Sequence, residues 1–146
     1  MEVGAPTKAP VHLWIVGIVS LLWNAFGALD YTMSQMRNPD WLAMFTESML
    51  AYLESFPAWA NAAWAFGVWG ALLGSLLLLI RSRYAYWSFA VSLAGLFAAT
   101  IYQNIISPAP ADMTTPGMIA MNVGIWAIAI ALLVYSYRMQ AKGVLK

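Results

Sequence analysis

The sequence predicts an all-α integral membrane protein, a bundle of four transmembrane helices with a shorter amphipathic helix between the first two. Three observations predict it. Of 146 residues, 62% are hydrophobic and only 9% charged, against roughly 25% charged in ordinary soluble domains. Four uncharged or nearly uncharged runs each reach the ~20 residues that an α-helix needs to cross a ~30 Å hydrocarbon core. The charged residues then fall between those runs with a consistent sign on each side.

The first run extends from about residue 11 to 31, with no charge between His12 and Asp30. Lys8 followed by an apolar stretch and Ala25-Phe-Gly-Ala28 has the look of a cleavable export signal. The run is longer than a signal's apolar core, so a retained span is expected. Residues 39–56 follow as a predicted single amphipathic helix. Asn38-Pro39-Asp40 makes a capped start, and Trp41, Phe45, Met49, Tyr52 and Phe56 recur at spacings of three and four. Asp40, Glu47 and Glu54 recur every seven residues on another face. An acidic amphipathic helix suits a cover over the bundle mouth or a protein partner better than an anionic lipid surface.

The second span is predicted at about 57–80 and the third at 84–106, joined through Arg81-Ser-Arg83 as a tight antiparallel hairpin. The fourth, about 116–137, opens on Thr115-Pro116, a cap and a first-turn proline. A helix is the required form in each case, because lipid offers no partner to an unpaired backbone group. All 146 residues belong to one membrane domain, and no internal repeat of the inverted-transporter kind is visible.

Orientation follows from the basic residues, which stay cytoplasmic in short loops. With both termini inside, Lys8, Arg81, Arg83, Arg138, Lys142 and Lys146 lie inside with Glu2. Outside lie Arg37 and the five acids Asp30, Asp40, Glu47, Glu54 and Asp112. The expectation is a multi-pass protein of a bacterial inner membrane with cytoplasmic termini and a periplasmic amphipathic helix. Tyrosine and tryptophan gather at both predicted boundaries, while Trp23, Trp64, Trp69 and Trp126 fall deeper.

In lipid, helices associate through small residues that let backbones approach. Gly17 on the first span, Gly67, Gly70 and Gly74 on the second, Ser92 and Gly95 on the third and Gly124 on the fourth are the expected packing positions. The polar side chains Asn24, Asp30, Asn61, Gln103, Asn104 and Asn122 all fall in the outer half of the spans. Two arrangements fit that asymmetry, an outward-facing polar pocket or a set of interhelical hydrogen bonds. The second is expected, since no charge accompanies the amides deeper in the membrane.

Several function classes are excluded or unsupported. With no cysteine, thiolate chemistry and disulfides are impossible. The single histidine forbids a two-histidine metal or haem site within one copy. No catalytic or phosphate-binding motif is present, and a net charge of +1 suits no nucleic-acid partner. No enzyme activity, metal or cofactor is expected.

The stretches His12-Leu-Trp-Ile-Val-Gly, Leu22-Trp-Asn-Ala-Phe-Gly-Ala-Leu-Asp-Tyr and Phe56-Pro-Ala-Trp resemble a group of small proteobacterial inner-membrane proteins with four predicted spans. Trp64-Ala-Phe-Gly-Val-Trp-Gly-Ala-Leu-Leu-Gly-Ser and the closing Gly143-Val-Leu-Lys carry the same resemblance. Members often bear the label "sugar transporter". The resemblance therefore implies the four-span fold and adds a little weight to transport, and it carries no site residues. The functional expectation is a non-enzymatic accessory or scaffold subunit in the lipid bilayer, packed against other membrane proteins or copies of itself. The alternative is a small-solute permease, sugar being one such solute, acting as a homo-oligomer through the polar residues above.

Overall fold

The computed structural model describes residues 7–146, which are helical with no strand among them. Four helices are long and apolar enough to cross a membrane: α1 (Val11–Gln35), α4 (Ala58–Leu79), α5 (Tyr84–Ile101, running on to Ile106) and α6 (Pro116–Ala141). Between α1 and α4 lie two short helices, α2 (Pro39–Leu42) and α3 (Glu47–Glu54).

The single helix expected over residues 39–56 is therefore broken, and the side chain of Thr46 shows why. Its hydroxyl accepts from the Met49 N–H and caps a new helix, a local bond that competes with continuing the old one. Asn38 caps α2 in the same way through Trp41 N–H. At the end of α5, the chain loosens into a π-type turn over Tyr102–Ile106, which closes with Ser107 N–H donating to Tyr102 O.

Pairings follow chain order. α1 packs antiparallel on α4, α4 on α5, and α5 on α6. The helices leave two chemically distinct ends. One, the basic end, carries Lys8, Arg81, Arg83, Arg138, Lys142 and Lys146, and the other, the acidic end, carries Asp40, Glu47, Glu54 and Asp112.

Glycine and serine set the α4–α5 seam. Ser92 Oγ donates to Gly67 O at 2.5 Å and Ser88 Oγ to Gly70 O at 2.7 Å, contacts that only a near-touching pair of backbones permits. A Cβ on Gly95 would stand 2.6 Å from Ala63 O and 2.7 Å from Gly67 N. On Gly74 it would meet the Phe89 ring at 2.6 Å. Gly17 of α1 is filled instead by the Leu79 side chain.

The basic end is sealed by a core of Leu13, Leu78, Ala85, Phe89, Leu132 and Met139. Into it fold Val144 and Leu145, 3% and 4% exposed, which lie after the α6 helix has ended. Gly143, at φ +72°, makes the turn that sends them back. Arg81 then staples three segments. Its Nε donates to Val144 O at 3.0 Å and a guanidinium nitrogen donates to Thr7 O at 2.5 Å. Its main-chain carbonyl accepts from Lys146 N–H at 2.8 Å.

The acidic end is capped by a second cluster, Tyr52, Phe56, Ala60 and Tyr102, with Ala109 and Met113 against it. Tyr52 donates to Ser107 O at 2.7 Å. Burial, and then the neighbouring Tyr102, push the Tyr52 phenol up to about 12, so it remains a donor across the physiological range. The start of α3 is tied to the loop before α6 by Asp112, whose carboxylate accepts from Thr46 Oγ1 at 2.6 Å and from Ser48 Oγ. Those hydroxyls, Ser48 first, hold the Asp112 carboxyl below its ordinary value. A depressed carboxylate stabilises above its unfolded value and loses that contribution as pH falls through the folded one. The tie is thus complete at neutral pH. Asp112→Ala should speed amide exchange in α3 severalfold while leaving α4 and α5 unchanged. Equal protection of α3 in the variant and the parent would refute that role.

Candidate functional site

The polar residues singled out by their depth are dispersed. Asn24, 8% exposed, lies at the α1–α4 contact. Its amide donates to Ser75 Oγ at 2.9 Å and Ala71 O at 3.2 Å, and Ser75 Oγ reaches Ser20 Oγ at 3.0 Å. Ser20 and Ser75 are also buried, so this trio is a dry polar rivet between two helices. An interhelical bond of this kind contributes roughly 0.6 kcal/mol and at most ~2 in a membrane setting.

Asp30 accepts from Trp41 Nε1 at 3.0 Å and thereby ties α2 to α1. Asn61 Oδ1 accepts from Gln35 Nε2 at 3.2 Å. Asn104 donates to Thr100 O of its own helix and faces outward. Gln103 is half-buried in the π-type turn, its carbonyl accepting from Ala109 N–H. Asn122 is exposed on α6 and makes no side-chain hydrogen bond among the described residues. Only Asn61 borders a cleft.

That cleft, about 110 Å³, opens at the acidic end between the end of α1, α3 and the start of α4. Ser34, Gln35, Asn61 and Trp64 line it, and the Arg37–Glu54 ion pair, 2.7 Å, stands at its rim. The volume has room for a few waters at ~30 Å³ each. Small-molecule sites run to ~300 Å³ and above. A larger groove of about 620 Å³ runs along the outside of the α4–α5 hairpin, walled by Phe66, Trp69, Leu73, Trp87 and Val91. Its lining hydroxyls are Ser88, already donating to Gly70 O, and Tyr84 at the end near the hairpin turn. The first is polar but too small for a sugar-sized solute, and the second is roomy but almost wholly apolar.

The small-residue positions separate as well. Gly67, Gly70, Gly74, Ser92 and Gly95 lie on the α4–α5 seam and Gly17 on the α1–α4 seam, whereas a Cβ on Gly124 would meet nothing within 4 Å. Gly124 thus packs on no part of the described chain. Residues 116–123 likewise stand clear, because α6 is held only from Trp126 toward its basic end. His12 Nδ1 and the Tyr135 hydroxyl are 2.5 Å apart, and Leu132, Ser136 and Met139 are buried. Trp126 Nε1 donates to Thr100 Oγ1 at 3.3 Å. From Pro116 to Val123 every residue is exposed. No signal in the one-dimensional pattern distinguishes this bare half from the packed one.

Among the described residues no group of three or more histidine, cysteine, aspartate or glutamate side chains could hold a metal. Comparison with protein-family models, curated proteins and solved structures finds no match.

Proposed function

We propose that this chain is a non-enzymatic subunit of a bacterial inner membrane that works by assembly, holding membrane helices against itself rather than turning over or moving a solute. One observation carries the reading: residues 116–123 of α6, in a helix long and apolar enough to span a membrane, have no packing partner among the described residues. The charge asymmetry supports cytoplasmic termini and a periplasmic α2–α3 cover. The dispersal of the amides supports the same reading, since Asn24 and Asn61 spend their bonds on joining α1 to α4.

In mild detergent the protein is expected to run as a complex heavier than its own 16.0 kDa polypeptide. A charge on the bare half of α6, as in Ile125→Arg, should shrink that complex while leaving the helical circular dichroism intact. Purified chain in lipid vesicles should pass labelled sugars no faster than empty vesicles. A monomer that carries saturable flux would overturn the proposal in favour of the permease.

A further inference from the structure

Helix α6 bears one line of residues at alternating spacings of four and three: Met118, Asn122, Ile125, Ala129, Leu132, Ser136 and Met139. That is the spacing of a seam between two helices crossing at a small angle. Half of the line is already used. Exposure falls from 43% at Met118 and 37% at Ile125 to 6% at Leu132 and none at Ser136. The seam built by this chain's own packing therefore continues, in register, for two further turns with no helix in it.

The polar residue on that unfilled stretch decides the partner. Asn122 lies about two turns inside the start of α6 and has no hydrogen bond among the described residues. In hydrocarbon an amide without a partner is costly, and it can both donate and accept. A partner must therefore bring a donor and an acceptor to this depth. A second copy in the same membrane has the same orientation, so a two-fold axis along the membrane normal brings Asn122 to Asn122 at equal depth. The pair is then reciprocal, as the isologous contact of a symmetric dimer demands. A single polar residue within an apolar seam is also the device that fixes register between helices.

We infer that the unfilled half of the α6 seam, Met118 to Ile125, is the contact by which two copies of this chain pair as parallel neighbours through Asn122. This inference rests on the assembly reading and names its partner. The opposite face of the same half-helix, with Ala120, Gly124 and Ala127, points away from that contact.

The chain contains no cysteine, so single cysteines report on it in its own membrane. Under mild oxidation Ile125→Cys and Met118→Cys should form a disulfide-linked species of twice the mass, and Ala127→Cys should not. Asn122→Leu should weaken pairing by roughly 3- to 20-fold, the range of one membrane hydrogen bond, measured by energy transfer between labelled copies. Three results would overturn the inference: no crosslink at Ile125, an equal crosslink at Ala127, or unchanged association in Asn122→Leu. A crosslink from Ile125 to a different protein would remove the second copy while leaving the assembly reading standing. A dimer through Ile125 that carries solute flux in vesicles would keep the pairing and remove the assembly reading.

Discussion

Gly95→Ala is expected to cost about 2–3 kcal/mol of stability, the upper range for forcing atoms into a packed seam. The new methyl would lie 2.6 Å from Ala63 O and 2.7 Å from Gly67 N. Both are backbone atoms of α4, so no rotamer change can relieve the clash and the two helices must move apart. That separation would also stretch the bonds from Ser92 and Ser88 to the α4 carbonyls. Gly17→Ala makes a graded control, because the obstacle is a flexible Leu79 side chain. Gly124→Ala meets nothing and should gain up to ~1 kcal/mol from helix propensity. Unfolding in detergent should rank the three in that order. Equal losses at Gly95 and Gly124 would mean that the α4–α5 backbones do not approach this closely.

The second large effect belongs to Arg81. Arg81→Ala removes the donors to Val144 O and Thr7 O and should cost about 2 kcal/mol, since hydrogen bonds from a charged donor contribute ~1.5–3 each and these are partly solvated. The main chain at Arg81 is left-handed, φ +60°, which strains any residue but glycine by about 1 kcal/mol. Arg81→Gly should therefore be the milder variant by about that amount, although it loses the same staple. In both, the amides of Val144 and Leu145 should exchange far faster than in the parent. A tail that stays protected without the guanidinium would show that apolar burial alone holds it.

The spans were legible because a membrane imposes a length and a composition that no other environment rewards in a 20-residue window. The signs of the loop charges separated the basic from the acidic end of the bundle. Azimuth was not legible. Asn24 and Asn122 sit at similar depths and look alike in the sequence, yet one faces Ser75 across a seam and the other faces outward. Which way a residue points depends on the neighbour its helix finds, and that is a long-range property. The break at Thr46 could have been found, because a threonine cap with a glutamate in the first helical turn is a helix-start signal. The apolar stripe through Phe45 and Met49 outweighed it. Arg81 offers the opposite lesson. It counted only as one positive charge in a loop, while its fork of donors joins the segment before α1 to the segment after α6.

The pairing order of the helices also bears on how the protein is made. Each long helix docks on one that has already left the ribosome: α4 on α1, α5 on α4, α6 on α5. The buried amide of α1 waits for about 50 residues of synthesis before Ser75 and Ala71 arrive to accept its protons. The tight turn at Arg81 lets α4 and α5 enter as a ready-made pair. The packing of Val144 and Leu145 against Leu13 and Leu78 comes last of these, after α6 is complete. That closure acts as a latch on a bundle whose other contacts are already in place, and a chain stopped at α6 would leave the membrane with its basic end unsealed.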